Sequence, residues 1–124
     1  MNKTLTILLI LFCLISTGCK DVHYPDIPVN VVAKKTTDGC LLTWEPSAAD
    51  KLSGETDDIY YMIFRSVNIN GSYSLIEVTD EGETSFLDNS VEQGRIYSYI
   101  IYAYWDHYYS DPSLPVVIDY TVGS

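Results

Sequence analysis

His23, His107 and the three cysteines Cys13, Cys19 and Cys40 are the side chains from which a metal centre or a nucleophile would have to be built. Zinc takes four thiolate, imidazole or carboxylate ligands, or three with one open position. Two histidines far apart in the chain and one thiol in its body do not make such a set. Cys40 alternates with Leu42 and Trp44 in GCLLTWE, the pattern of a strand with one buried face. Its thiol is therefore expected in the core as a small inert hydrophobe, not as a nucleophile served by His107. The chain carries no nucleophile elbow, phosphate-binding loop or dinucleotide glycine run. A domain this small has no deep cleft in which two carboxylates could flank a glycosidic bond. The sequence thus assigns no catalytic residue, no metal ligand and no cofactor, and the chain does not read as an enzyme.

What the chain does concentrate is aromatic rings. RIYSYIIYAYWDHYYSD, residues 95–111, holds seven of them in seventeen positions. Rings among acids can stack on sugars while the carboxylates accept hydroxyl protons, a logic that suits Trp105, Asp106, Tyr108 and Tyr109. Rings on one face of a sheet can equally form a protein interface, or simply stabilise the strands that carry them. The elements around them decide which rings are available.

The first element is a leader. MNKTLTILLILFCLISTGCKD has Lys3 ahead of an apolar run from Leu5 to Ile15, then Ser16, Thr17, Gly18 and Cys19. That run is shorter than the roughly 20 apolar residues of a membrane-spanning helix, and it ends in small residues suited to a peptidase. Ser-Thr-Gly-Cys resembles the lipobox of bacterial lipoproteins, with Ser16 where a leucine is usual. The resemblance implies cleavage after Gly18 and acylation of Cys19, which would anchor the chain to a membrane of the cell envelope. Lys20 and Asp21 resemble an export tag for the outer membrane. Loss of residues 1–18 removes one lysine and no acid, taking the net charge from −10 to −11. Nucleic acid is excluded as a partner, because phosphate binding needs a basic patch. With Cys13 removed and Cys19 acylated, Cys40 has no disulfide partner.

Residues 19–27 contain Pro25 and no periodicity and read as a lipidated tether. Beyond it the hydrophobic period is two. Strands are predicted at 29–34, 39–45, 58–66, 72–79, 84–88, 95–105 and 115–121, with turn signals at Asn70-Gly71 and Glu81-Gly82. No segment sustains a helical repeat. Seven short strands at regular spacing predict an all-β, immunoglobulin-like sandwich of antiparallel strands.

Pro28, Leu42-Thr-Trp44-Glu-Pro46, Tyr61-Met-Ile63-Phe-Arg65-Ser66, Phe86-Leu-Asp88, Gly94 and Tyr97-Ser-Tyr99-Ile-Ile101-Tyr-Ala103 occur in the order of a fibronectin type III domain, which residues 28–122 resemble. The resemblance implies that the first, second and fifth strands face the third, fourth, sixth and seventh, with Trp44 central and Tyr97 as the tyrosine-corner residue. It makes the Tyr97, Tyr99, Ile101, Ala103 side of the sixth strand the core side. Tyr102 and Tyr104 then point outward beside Tyr60, Met62 and Phe64, while Trp105, Asp106, His107, Tyr108 and Tyr109 fall in the last loop. It also gathers Asp50, Glu55, Asp57, Asp58, Asp80, Glu81, Glu83, Asp106 and Asp111 at one pole. Those acids could bind calcium, bind carbohydrate or merely be solvated. The tether starts at the same pole and reaches at most about 30 Å. The expected function is that of a non-catalytic binding module. The candidate contacts are Tyr60, Phe64, Tyr102, Tyr104, Trp105, Tyr108 and Tyr109, and the partner is an envelope protein or, alternatively, a glycan.

Overall fold

Cys40, Leu42 and Trp44 alternate inward along β2 (Gly39–Glu45), and this strand seeds the smaller of two sheets. The computed structural model describes residues 24–53, 58–68 and 71–122. The predicted leader 1–18, Cys19, His23, Glu55, Asp57 and Asn70 lie outside the described residues. β1 (Val29–Thr36) and β5 (Ser85–Asp88) pair antiparallel with β2 on either side. Gly39 opens β2 at φ +146°, and a Cβ there would lie 2.3 Å from the Asp88 carbonyl oxygen, so the β2 to β5 approach requires glycine.

The larger sheet is built on β3 (Tyr60–Val67) and β6 (Ile96–Trp105), which pair from Tyr60↔Tyr104 to Val67↔Tyr97. β4 (Ser74–Val78) lies on the outer side of β3, while β7 (Tyr108–Tyr109) and β8 (Val116–Asp119) pair with opposite ends of β6. The sheets are therefore β1-β2-β5 and β4-β3-β6-β7, with β8 also on β6. This is the all-β sandwich that the strand pattern predicts. Among the described residues the two-residue strand β7 precedes the last predicted strand, so the strands there number eight.

Period two sends Tyr61 and Ile63 of β3, and Tyr97, Tyr99, Ile101 and Ala103 of β6, into the core. There they meet Cys40, Leu42 and Trp44, and the Trp44 and Tyr61 rings cross edge to face at 5.4 Å. Each fully buried large side chain contributes about 1.5–3 kcal/mol. The Tyr97 hydroxyl accepts the Glu92 amide at 2.8 Å, the closure expected of a tyrosine corner. Burial raises the Cys40 thiol pKa, in keeping with an inert core cysteine.

One helix was not legible in the hydrophobic pattern: α1 (Ala48–Ser53), between β2 and β3. Ser47 caps it, its Oγ accepting the Asp50 amide at 3.0 Å and its carbonyl accepting the Lys51 amide. Ser47-Ala48-Ala49-Asp50 has the S-x-x-D spacing of a capping box, too short-range for a hydrophobic period to reveal.

The sheets are also joined by a buried polar clasp. The Asp88 carboxylate of β5 accepts from the Arg65 guanidinium of β3 at 2.8 Å and from the Tyr99 hydroxyl of β6 at 2.6 Å. The Ser90 amide and hydroxyl donate to its other oxygen at 3.1 and 2.7 Å, and Arg65 also donates to the Ser90 hydroxyl at 2.6 Å. Arg65 lies 5.2 Å from the centre of the Tyr97 ring. Burial raises the Asp88 pKa, but hydrogen bonds from Tyr99, Ser90 and Arg65 outweigh it and hold the carboxyl below its ordinary value. Asp88→Ala strands Arg65 and Tyr99 and is expected to cost about 3 kcal/mol in urea unfolding at neutral pH. A depressed folded-state pKa contributes stability that is complete above the unfolded value of about 3.9 and is lost as pH falls through the folded value. The stability gap between wild type and Asp88→Asn should therefore narrow below about pH 4. A gap that stays constant to pH 2 would sink the assignment.

Candidate functional site

The residues of β3 and β6 that do not enter the core form the outer face of the larger sheet. Tyr60, Met62 and Phe64 lie opposite Tyr104, Tyr102 and Ile100, all half-buried. The Tyr60 and Tyr104 rings are 6.2 Å apart, and Phe64 meets Tyr102 edge to face at 5.3 Å. A register shift in β4 between the partners of Ile63 and Phe64 sets Leu75 opposite Phe64 and Val78 opposite Met62, each 48% exposed. The face dips into two shallow depressions. One of about 320 Å³ is lined by Tyr60, Met62, Val78, Tyr104 and Tyr109, and one of about 170 Å³ by Met62, Phe64, Tyr102 and Tyr109.

Tyr109 belongs to this face because the last predicted loop is largely not a loop. β6 and β7 form a hairpin whose central residues, Asp106 and His107, have φ of 49° and 71°. Two positive φ values are what a type I′ turn requires. Asp and His enter that region more readily than most residues, but without Asn-Gly the turn gave no strong sequence signal. Tyr109 pairs with Tyr104 on the outer side, its ring 4.8 Å away, while Trp105 pairs with Tyr108. Beyond β7 the Ser110 and Ser113 hydroxyls accept the Ala103 and Ile101 amides at 2.8 and 2.9 Å, standing in for strand carbonyls.

The seven sequence candidates are thus divided. Tyr60, Phe64, Tyr102 and Tyr104 come together on the outer face with Tyr109. Trp105 packs against the core, and the Tyr108 ring meets Tyr24 edge to face at 4.4 Å. Neighbouring residues of a strand point to opposite sides. Trp105, Tyr108 and Tyr109, with Asp106 in the turn, therefore do not form one platform.

The acidic pole is likewise partly rewritten. Asp58, Asp80, Glu81, Glu83, Asp106 and Asp111 are exposed at the end where the chain enters β1. Asp50 is fully buried instead, both its oxygens accepting the Asp26 amide at 3.1 and 3.0 Å. Burial, with the Asp50 charge adding to it, pushes the Tyr61 pKa up to about 12. The Asp26 bond, buried Pro25 and the Tyr24 ring hold the end of the predicted tether against the sandwich. Among the described residues, no three of His, Cys, Asp or Glu are grouped to hold a metal ion. The Gly82 amide donates to the Ile59 carbonyl at 2.9 Å, which sets Glu81 beside Tyr60, and hydrogen bonding to the Glu81 carboxylate raises the Tyr60 pKa.

If the outer rings stabilise one another, a Phe64→Ala, Tyr102→Ala double-mutant cycle in urea should return a coupling of about 0.5–1.5 kcal/mol. A coupling indistinguishable from zero would mean that this contact contributes nothing to folding.

No protein-family model matches the chain, and no curated protein matches it in sequence. Solved structures do. An Fn3-like protein from Clostridium thermocellum superposes with a TM-score of 0.61 at 21% identity, covering 82% of this chain and 99% of that one. A structure of titin domains gives 0.64 at 19% identity over 78% of this chain and 32% of its own. The twitchin kinase region from C. elegans gives 0.62 at 23% identity over 79% of this chain and 17% of its own. This chain therefore spans about a third of the titin structure and a smaller part of the twitchin one. Identities this low speak for architecture alone, and the architecture agrees with the sheet order, central Trp44 and tyrosine corner described above: the sandwich has the fibronectin type III fold.

Proposed function

We propose that the chain is a non-catalytic lipoprotein of a bacterial cell envelope, anchored at the outer membrane through acylated Cys19, whose fibronectin type III domain binds another envelope protein through the outer face of its larger sheet. The observation that carries this reading is the apolar continuity of that face: Tyr60, Met62, Phe64, Leu75, Val78, Tyr102, Tyr104 and Tyr109 lie side by side across four strands. Contiguous exposed apolar surface beyond a few hundred Å² on a soluble domain marks interaction sites. Sandwiches of this architecture are frequent among cell-surface domains. A protein partner is favoured over a glycan because Trp105 and Tyr108, two of the four glycan candidates, are engaged by the core and by Tyr24.

The anchor and the face act together on this reading. Tyr24 is held on the sandwich, so Cys19 is five steps from a fixed point, a reach of at most roughly 18 Å. The acidic pole stays close to the bilayer, and the sheet face is turned sideways toward proteins standing in the same membrane. Cys19→Ser should move the protein from the membrane fraction to the soluble one, and retention of the variant would remove the anchor. With a photoreactive residue at position 102 in the native membrane, irradiation should give one recurrent envelope-protein adduct by mass spectrometry. Absence of any adduct, with surface expression verified, would leave the outer rings as sheet stabilisers and overturn the protein-binding reading.

A further inference from the structure

The larger depression has a chemistry narrower than apolar contact. Its walls are three tyrosine rings, Tyr60, Tyr104 and Tyr109, tilted against one another by 42° and 49°, and its remaining lining is Met62 and Val78. Aromatic faces carry negative charge, and a cation held over several of them is attracted to each. Negative charge is supplied again beside Tyr60 by exposed Asp58, two residues before it, and by exposed Glu81, whose neighbour Gly82 donates its amide to the Ile59 carbonyl at 2.9 Å; both charges raise the Tyr60 pKa. The described lysines and arginines are engaged or situated elsewhere. Lys51 pairs with Glu45, Arg65 with Asp88 and Arg95 with Glu92, while Lys34 and Lys35 lie on β1 of the other sheet. An acid-rimmed aromatic recess with no described cation of its own is complementary to a cation brought from outside.

We propose that the recess formed by Tyr60, Tyr104 and Tyr109 under Glu81 is a subsite for a lysine or arginine side chain of a polypeptide partner. This rests on the protein-binding reading of the face and specifies its partner: a segment that sets a basic residue in the recess and apolar residues over Phe64 and Tyr102. Met62 and Val78 would contact the aliphatic stem of such a side chain while the rings and Glu81 meet its charged end. The attraction lies at the edge of the face, so salt weakens it.

The test uses the full chain, with the aromatic resonances of Tyr60, Tyr104 and Tyr109 followed by NMR. The probes are the N-acetyl amides of lysine and arginine, with that of norleucine as the uncharged isostere. The cationic amides are expected to bind roughly two- to fivefold more tightly than norleucine, with the preference shrinking as salt is added. Glu81→Gln, at an exposed position, should bring the ratio toward one while the protein stays folded. Tyr104→Leu, which keeps an apolar side chain there, should lower it as well. Equal affinity for all three amides, or no saturable shift with either cation, overturns the proposal. An envelope protein crosslinked from position 102 together with no cation preference would retain the protein-binding reading and discard this one. A cation preference without any adduct would leave a cation-binding recess and overturn its assignment to a polypeptide partner.

Discussion

The Asp88 carboxylate is the point at which the two sheets are held in one relation to each other. In the core the sheets otherwise meet through apolar side chains, whose contact is strong and non-directional. Here a β5 side chain takes directed hydrogen bonds from Arg65 of β3 and Tyr99 of β6, so sliding one sheet over the other would strand a buried charge. Burial of a carboxylate is unfavourable by itself, and the donors around Asp88 outweigh it. The clasp also holds β3 and β6 in their pairing, because Arg65 and Tyr99 are opposite one another in that register. A slip of β6 by one residue against β3 would turn Tyr99 and Ile101 outward and bring Tyr102 and Tyr104 into the core. The aromatic outer face is therefore a consequence of the same register that makes the interior.

Period-two patterning made most of that visible in advance. Cys40, Leu42 and Trp44 alternate cleanly because β2 is covered on one side only, and β3 and β6 alternate for the same reason. What escaped was structure specified by contacts distant in sequence or by unusual backbone. Asp50 looks like one more surface acid, since nothing near it in sequence announces the Asp26 amide 24 residues upstream that meets its carboxylate. β7 carries no strand signal of its own because its turn is Asp106-His107 and not Asn-Gly. α1 has no hydrophobic stripe, because Ser47 and Asp50 specify its single turn through the cap.

These local misses changed the site more than the fold. Tyr108 and Tyr109 look equivalent as loop aromatics, but a two-residue strand sends them to opposite sides. One went to the N-terminal segment and the other to the outer face, where it completes the recess between Tyr60 and Tyr104. The segment ahead of β1 lies on the sandwich for a related reason: Tyr24 meets Tyr108 of β7, and the Asp26 amide meets Asp50 of α1.

Stabilisation alone does not account for the composition of the outer face. The Phe64 to Tyr102 and Tyr60 to Tyr104 pairs can strengthen the central β3 to β6 ladder by about 0.5–1.5 kcal/mol each. Leu75, Val78 and Tyr109 lie farther out on the bordering strands, remain about half exposed, and would keep most of their strand preference as threonine. At those positions solubility favours polar side chains, the more so for a sheet whose edges must not recruit other chains. Their apolar character is what a face covered by a partner would require. The acids at the adjoining pole act as a counterweight: they repel copies of a chain with net charge −10, and on the proposed reading they would leave a basic partner free to approach.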